Sequence, residues 1–235
     1  MDTAEQTGCD DRDTFDRALD QAAEGLGLRV EPFRRTLMWA HFQCMLEANR
    51  QFNLTRITAP ADAAVKHYAD AISLLCIPGI EAAGLLAVLD VGTGAGFPAV
   101  PLAIMCPAWR ITAIDGTAKK VRFVAQTLTA LGLTNVEVIH ARAADYARTR
   151  AQPFDLVLMR AVAKLAPALE EVHRLIAPGG QVVFYKTASL ADSERSAGDR
   201  AARRRGLQPL EPVDVTLSSV QGPILRRFIR YRRGP

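Results

Sequence analysis

The chain has 235 residues, a formal charge of +4 and an isoelectric point near 9.0, and 49% of its residues are hydrophobic. This length fits one α/β domain with an N-terminal extension, and the hydrophobic content is enough for a sizeable core. Four widely spaced cysteines without a C-x-x-C pair argue against a zinc site or a disulfide framework, and no apolar run is long enough to span a membrane.

The first segment is acidic and helical. Residues 1–31 hold nine acidic side chains and three arginines, without the apolar core of a signal peptide, so we expect a cytoplasmic protein. Apolar residues at helical spacing predict one helix that ends at Gly25 and a second from about Pro32 to Arg50. We expect residues 1–84 to form a helical extension packed on a core of residues 85–235.

A turn-rich stretch and a third helix follow. Residues 52–58 read Phe-Asn-Leu-Thr-Arg-Ile-Thr and have no helical period, whereas Pro60 opens a helix. Lys66, His67 and Asp70 fall on adjacent turns of that helix. Taken alone, His67 fits a hydrogen-bonded interface histidine better than a catalytic one.

The stretch from residue 85 to residue 98 predicts a cofactor loop. An apolar run predicts a buried parallel strand that contains Asp90, and Gly92, Gly94 and Gly96 then allow a tight turn. The G-x-G-x-G spacing differs from the G-x-G-x-x-G of dinucleotide enzymes. An acid before three alternating glycines resembles the first motif of the class I S-adenosylmethionine-dependent methyltransferases. A glycine-rich turn that binds nothing is the alternative.

Strands and helices alternate from this loop onward. The pattern predicts five strands, the second ending at Asp115 and the fourth followed by Arg160. We therefore predict a doubly wound, mostly parallel, Rossmann-like α/β sheet that binds ligands at the carboxyl ends of its strands. Asp115 could accept both ribose hydroxyls of adenosine, or it could cap the next helix. The polar segment after Lys186 fits a lid or a helix on the sheet.

The carboxyl-terminal part is basic. Residues 198–235 hold nine arginines and three acidic residues, which favours a polyanionic partner, although a solvated charged tail is the alternative. Further candidate phosphate-binding cations are Arg56, Lys66, Lys119, Lys120, Arg122 and Lys164. A solvated helix face explains the three at 119–122 equally well.

Several motifs together resemble the RsmG (GidB) family. They are Phe-Asn-Leu-Thr, Val-Lys-His-Tyr-Ala-Asp, Asp-Val-Gly-Thr-Gly-Ala-Gly-Phe-Pro-Ala-Val-Pro-Leu, Lys-Lys-Val-Arg-Phe-Val, Arg-Ala-Val-Ala and Pro-Gly-Gly, in the same order from about residue 15 to residue 232. The resemblance implies transfer of a methyl group from S-adenosylmethionine to N7 of a guanine in 16S ribosomal RNA, as naked RNA or in the 30S subunit. We expect a monomer without a metal or a membrane partner.

The residue patterns and this resemblance give two sets of site residues. The cofactor-binding set is Asp90, Gly92, Gly94, Gly96, Phe97, Asp115, Gly116, Thr117, Ala143, Ala144 and Arg160. The RNA-binding set is Asn53, Thr55, Arg56, Lys66, His67, Lys119, Lys120, Arg122, Lys164, Lys186, Arg226 and Arg227. Arg160, Lys66 and His67 are positioning candidates. No catalytic dyad is expected, because guanine N7 carries a lone pair and no proton at neutral pH.

The chain departs from the family pattern at four positions. Ala71 stands for a usual serine, Ala99 for a glycine, Gly116 for a small side chain, and Thr187 ends a Tyr-Lys-Thr segment in place of Leu-Lys-Gly. Two other functions stay open: a methyltransferase for a small molecule or a protein, and a non-catalytic RNA-binding assembly factor. The glycine spacing disfavours a nicotinamide dehydrogenase.

Overall fold

The computed structural model describes residues 3–82, 84–149, 152–160 and 164–235, and the side chains of the first helix from residue 10 onward. Two helices open the chain, α1 (Thr3–Gly25) and α2 (Pro32–Asn49). Gly27 takes a positive φ of 69° just after α1, where a residue with a Cβ would be strained. Both helices therefore lie where the apolar spacing predicts them.

The third helical segment is irregular. It consists of α3 (Pro60–Ala63), a π-helical turn (Ala64–Ala69), α4 (Asp70–Ile72) and a 3₁₀ turn (Ser73–Cys76). π-Helical turns occur often at functional sites, because the wider turn redirects side chains. This one carries Lys66 and His67.

Within the described residues, the sheet has eight strands. They are β1 (Ala87–Val91), β2 (Arg110–Asp115), β3 (Val136–His140), β4 (Phe154–Arg160), β5 (Ile176–Thr187), β6 (Leu207–Pro209), β7 (Val213–Leu217) and β8 (Ile224–Arg233). Their order is β3-β2-β1-β4-β5-β8-β6, with β7 also paired to β8. The first five strands are parallel and β8 is antiparallel to β5. The predicted doubly wound, mostly parallel sheet is confirmed.

Helices cover the sheet. They are α5 (Ala99–Met105), α6 (Ala118–Leu131), α7 (Ala143–Thr149), α8 (Leu165–Val172) with a 3₁₀ turn (His173–Leu175), and α9 (Asp192–Arg204). The segment after Lys186 thus contains a helix, and α7 was not predicted. The helical segment after β4 ends at Leu175, because β5 already pairs with β4 at Ile176, through a register shift that spans Gly179 and Gly180.

The arginine-rich end is a strand of the sheet, so a solvated tail is the wrong interpretation of residues 224–233. Phe228, Ile229 and Tyr231 are buried in β8, and arginines flank them on both sides. These arginines occupy most of the other positions of the strand and hide the apolar pattern that marks β1 to β5, so the sequence alone does not reveal it.

One hydrophobic cluster joins the N-terminal helices to the sheet. Phe15, Phe42 and Tyr68 share it with Val88 and Leu102. We therefore propose that residues 1–84 and 85–235 fold as one unit. No helix within the described residues is long and apolar enough to cross a membrane.

Candidate active site

The glycine loop links β1 to β2 and α5. The φ angles of Gly92, Gly94 and Gly96 are 77°, 60° and 94°, values that residues with a Cβ rarely adopt. The N–H of Gly92 donates to the carbonyl of Ile114 at 2.8 Å, and the N–H of Gly96 donates to the carbonyl of Thr93 at 2.9 Å. The loop is a tight turn at the carboxyl edge of the sheet.

Asp90 is buried beneath this loop. Its Oδ2 accepts the N–H of Ala99 at 3.3 Å, and burial raises the pKa of the carboxyl to about 7. Its side chain is fully buried. Because Asp90 is in β1 and Ala99 begins α5, this hydrogen bond ties the strand to the start of the helix. The alanine at position 99 preserves this contact, since it uses only the backbone N–H.

His41 of α2 holds the loop from the other side, a role that the sequence analysis missed. Its Nε2 donates to the carbonyl of Ala95 at 2.9 Å, and Tyr68 Oη donates to its Nδ1 at 3.0 Å. These partners assign the neutral form with its proton on Nε2. Burial lowers the pKa of His41 to about 4. One histidine on an apolar helix gives no local motif that reveals such a contact.

Replacing His41 with phenylalanine should lower the free energy of unfolding by about 2 kcal/mol at pH 7, because two buried polar groups lose their partner.

The same substitution should also make the free energy of unfolding less dependent on pH in the acid range. Folded His41 stays neutral down to about pH 4, whereas an unfolded histidine takes up a proton near pH 6.5, so its stabilisation is lost as the pH falls from about 6.5 toward 4. Urea unfolding at pH 7 and pH 5 should show a loss that is about 2 kcal/mol smaller in the variant. His67 and Asp90 are common to both proteins, so equal losses would contradict the assignment.

A cleft of about 500 Å³ opens at the carboxyl edge of β1, β2 and β4. Five residues of the predicted cofactor set line it: Gly92, Asp115, Gly116, Ala143 and Ala144. Other lining residues, including Ile114, Met159 and Glu171, were not predicted from the sequence. They belong to strand or helix patterns that show no sign of a ligand.

Asp115 stands in the wall of this cleft. Its Oδ2 accepts the N–H of Gly94 at 3.0 Å, and its Oδ1 accepts the N–H of Thr117 at 2.8 Å. The contact to Thr117 is the one expected of a turn-capping aspartate. A carboxylate oxygen has two lone pairs, so both oxygens retain acceptor capacity toward the cleft.

An aromatic and cationic cluster lies at the other side of the loop. The ring of His67 stacks on Phe97 at 4.7 Å between centroids, and the Arg160 guanidinium lies 5.6 Å from the centre of the same ring. Burial, and then the positive charge of Arg160, lower the pKa of His67 to about 4. His67 is therefore neutral at pH 7.

The Asn-Leu-Thr segment is fixed against His67. Asn49 Oδ1 accepts the backbone N–H groups of Leu54 at 2.7 Å and Thr55 at 3.0 Å. The Thr55 hydroxyl lies 3.0 Å from Nε2 of His67. Two motifs that are separate in the sequence thus form one wall of the site, and Asn53 and Arg56 are exposed beside it.

Asp70 forms ion pairs with Arg160 and Arg226, and we call these three residues the arginine clamp. Its Oδ2 accepts from Arg160 Nε at 2.9 Å and its Oδ1 from Arg226 Nε at 2.6 Å. Arg160 Nη2 also donates to the carbonyl of Lys66 at 2.6 Å, and Arg226 Nη1 to that of Lys186 at 3.0 Å. The Asp70 side chain is 1% exposed and both arginines are 16% exposed. Arg160 Nη1 has no partner among the described residues, and residues 161–163 of the Arg-Ala-Val-Ala motif lie outside them.

The other predicted RNA-binding cations fall into two groups. Lys66, Lys186 and Arg227 form ion pairs with Asp62, Glu194 and Asp214. Lys119, Lys120, Arg122 and Lys164 have no ion pair within the described ranges, and all but Lys120 are exposed. The first group is positioned by the fold, and the second is available to an anion.

The other three departures from the family pattern, at Ala71, Gly116 and Thr187, place no side chain in the cleft. The backbone carbonyl of Ala71 accepts the Tyr185 hydroxyl at 3.0 Å. A Cβ at Gly116 would meet Arg142 Cγ at 3.4 Å, and the Thr187 hydroxyl pairs with Ser189 at 2.9 Å.

None of the cysteines with described side chains lines the cleft. Burial raises the pKa of Cys76 and brings that of Cys106 to about 12. Cys44 is on α2, on the side that faces α6, and lies away from the cleft. Among the described residues, no group of three or more His, Cys, Asp or Glu side chains could hold a metal ion.

Sequence comparison places these features in a known family. The family model of GidB, described as rRNA small subunit methyltransferase G, matches residues 35–214. Proteins named ribosomal RNA small subunit methyltransferase G are similar to the chain. The Deinococcus deserti protein is 39% identical over 83% of this chain and 79% of its own length, and the Leuconostoc citreum protein is 31% identical over 88% and 85%.

Solved structures share the fold at low sequence identity. YcgJ of Bacillus subtilis has a TM-score of 0.54 at 14% identity and covers 72% of this chain and 100% of its own. The precorrin-6y C5,15-methyltransferase of Geobacter metallireducens has a TM-score of 0.51 at 16% identity and covers 78% and 92%. The fold is that of class I methyltransferases.

Proposed function

The chain belongs to the GidB family of rRNA small subunit methyltransferases G, and on that premise we propose that it methylates N7 of a guanine in 16S ribosomal RNA with S-adenosylmethionine. The observation that carries the proposal is the meeting of the Asn-Leu-Thr segment, His67, Phe97 and Arg160 beside the glycine-loop cleft. Thr55 and His67 come from the N-terminal segment, whereas Phe97, Arg160 and the cleft belong to the α/β core.

The cleft fits the adenosine part of S-adenosylmethionine. Ile114 and Met159 offer apolar surface, and Asp115 retains acceptor capacity for two ribose hydroxyls. A Cβ at Gly94 would meet only the Gly92 carbonyl, at 4.0 Å, so the bare loop leaves room for a ligand. When bound there, S-adenosylmethionine supplies an electrophilic methyl group.

The residues around the cleft match transfer to a base nitrogen that has no proton. Guanine N7 needs alignment and no general base, and His67, neutral at pH 7, is packed between Thr55 and Phe97. Methylation of a pyrimidine carbon would need a cysteine nucleophile, and the described thiols are buried or remote from the cleft.

The partners follow from this assignment. We propose that Arg160 Nη1 holds an anionic group at the mouth, either the carboxylate of the cofactor or an RNA phosphate. The exposed cations Arg56, Lys119, Arg122 and Lys164 would hold the RNA backbone. An enzyme that acts on the ribosomal RNA of a bacterium works in the cytoplasm, and we propose that it does so as a monomer.

Methyl transfer from tritiated S-adenosylmethionine tests the function. The acceptors would be 30S subunits and naked 16S RNA from a strain that lacks this gene, followed by nucleoside analysis. We expect label in 7-methylguanosine from at least one acceptor. Cofactor binding without labelled RNA would contradict the proposal and favour a non-catalytic assembly factor or a different acceptor.

Replacing Asp115 with alanine should weaken cofactor binding by about 1–3 kcal/mol, the scale of a charge-assisted hydrogen bond. Calorimetric titration with S-adenosylmethionine would measure the loss. Asp145→Ala is the matched control, because Asp145 lines the same cleft but is paired with Arg148. Equal affinities for the Asp115 variant and the unmodified chain would remove Asp115 from the cofactor site.

A further inference from the structure

A second groove lies between α2 and α6, beside the candidate active site. Its volume is about 780 Å³, within the roughly 300–1,000 Å³ range of ligand pockets. We call it the α2/α6 groove. None of the predicted cofactor residues lines it.

The floor and walls of the groove offer aromatic and amide groups. Phe123 is buried at its base, and Phe52 is half-buried at its edge. The exposed amides of Gln43, Gln51 and Gln126 surround these rings. Aromatic faces stack on unpaired bases, and amides can donate to and accept from base edges.

The groove is also positively charged. Lys119 and Arg122 line it, are exposed, and form no ion pair within the described part of the chain. The one acidic lining residue, Glu47, is neutralised by Arg50 at 2.7 Å. The net field therefore favours an anion.

The groove lies close to the candidate active site along the chain. Lys119 is on the first turn of α6, four residues after Asp115 in the wall of the cleft. Phe52 directly precedes the segment that holds Thr55 against His67. A polynucleotide that places a base beside the partly exposed His67 would thus pass the groove within a short distance.

We propose that the α2/α6 groove binds an unpaired nucleotide of the RNA near the methylated guanine. Its base lies against Phe52 and Phe123, and its phosphate is held by Lys119 and Arg122. The inference rests on the proposed function, because it takes RNA as the substrate.

Two variants of the full chain separate stacking from charge. Phe52→Leu keeps an apolar side chain against the core and removes the ring, so affinity for naked 16S RNA should fall roughly tenfold with an unchanged salt dependence. Because the two side chains hold one phosphate, the double variant Lys119→Gln/Arg122→Gln should lower the slope of log affinity against log salt by about one. Filter binding over a salt series measures both effects, with S-adenosylmethionine present.

Matched controls carry the same chemical changes elsewhere. Phe33→Leu removes an exposed ring at the start of α2. Arg110→Gln/Arg174→Gln removes two exposed charges at the amino ends of β2 and β5, on the opposite edge of the sheet. Both controls should bind RNA as the unmodified chain does, and all variants should bind S-adenosylmethionine with unchanged affinity.

The outcomes distinguish this inference from the proposed function. If the unmodified chain methylates 16S RNA and both groove variants bind that RNA like their controls, the groove is not a nucleotide site while the function stands. If the unmodified chain neither binds nor methylates 16S RNA, the proposed function fails and the groove assignment falls with it. Selective loss in the groove variants supports the inference.

Discussion

Asp70→Asn should lower the free energy of unfolding by about 3 kcal/mol, because removal of one partner from a buried ion pair leaves the other charges uncompensated. Here two arginines would face each other, each with its Nε group within 3 Å of the missing charge. Arg160 would also lose its anchor beside Phe97. We therefore expect methyl transfer to fall by roughly a hundredfold, as for other small displacements of positioned groups. Urea unfolding and single-turnover methylation measure the two losses.

Asp214→Asn is the control for this experiment. Asp214 accepts two hydrogen bonds from Arg227, the neighbour of Arg226 on β8, at 2.8 and 2.6 Å, but both side chains are partly exposed. Exposed pairs contribute little to stability, so this variant should resemble the unmodified chain. Equal behaviour of the Asp70 and Asp214 variants would contradict the clamp.

Arg226→Ala gives an independent test if the Asp70 variant does not fold. The clamp predicts slower methyl transfer with an unchanged salt slope for RNA binding, since Arg226 acts through Asp70. A direct contact of Arg226 with an RNA phosphate, as expected from the sequence, would instead lower the salt slope by about one. The slope alone decides between the two roles.

Replacing Gly96 with alanine should be similarly severe, at about 3 kcal/mol. The new Cβ would lie 2.7 Å from Val100 Cγ2 and 3.3 Å from His41 Nε2, at a φ of 94°. Val100 is buried in α5 and β-branched, so its side chain has no alternative rotamer at low cost. The loop must shift, and cofactor affinity should fall with stability.

Gly132→Ala separates the clash from backbone strain. Gly132 ends α6 with a φ of 65°, and no atom lies within 4 Å of the place that a Cβ would occupy there. Alanine at this position should cost about 1 kcal/mol, with unchanged cofactor affinity. If the Gly96 variant unfolds no more easily than this one and binds S-adenosylmethionine normally, the contact with Val100 is not a constraint on the loop.

These expectations share one structural cause. His41, Tyr68 and Asp70 belong to the N-terminal helices, yet they hold the glycine loop and Arg160. The α/β core by itself lacks the wall formed by Thr55 and His67. The extension therefore completes the site, and its sequence is as informative about function as the glycine loop.

Local patterns in the sequence determined where the first five strands lie along the chain, where the glycine loop lies, and that Asp115 stands at a strand end. These features depend on short-range periodicity and on glycine conformations, which neighbouring residues specify. Tertiary structure alone decided the partners of the buried charges. Asp70 meets Arg160 across 90 residues and Arg226 across 156, and no spacing rule connects such positions. Chain topology brought β8 beside β5 and so placed Arg226, a predicted RNA-binding residue, in an ion pair with Asp70.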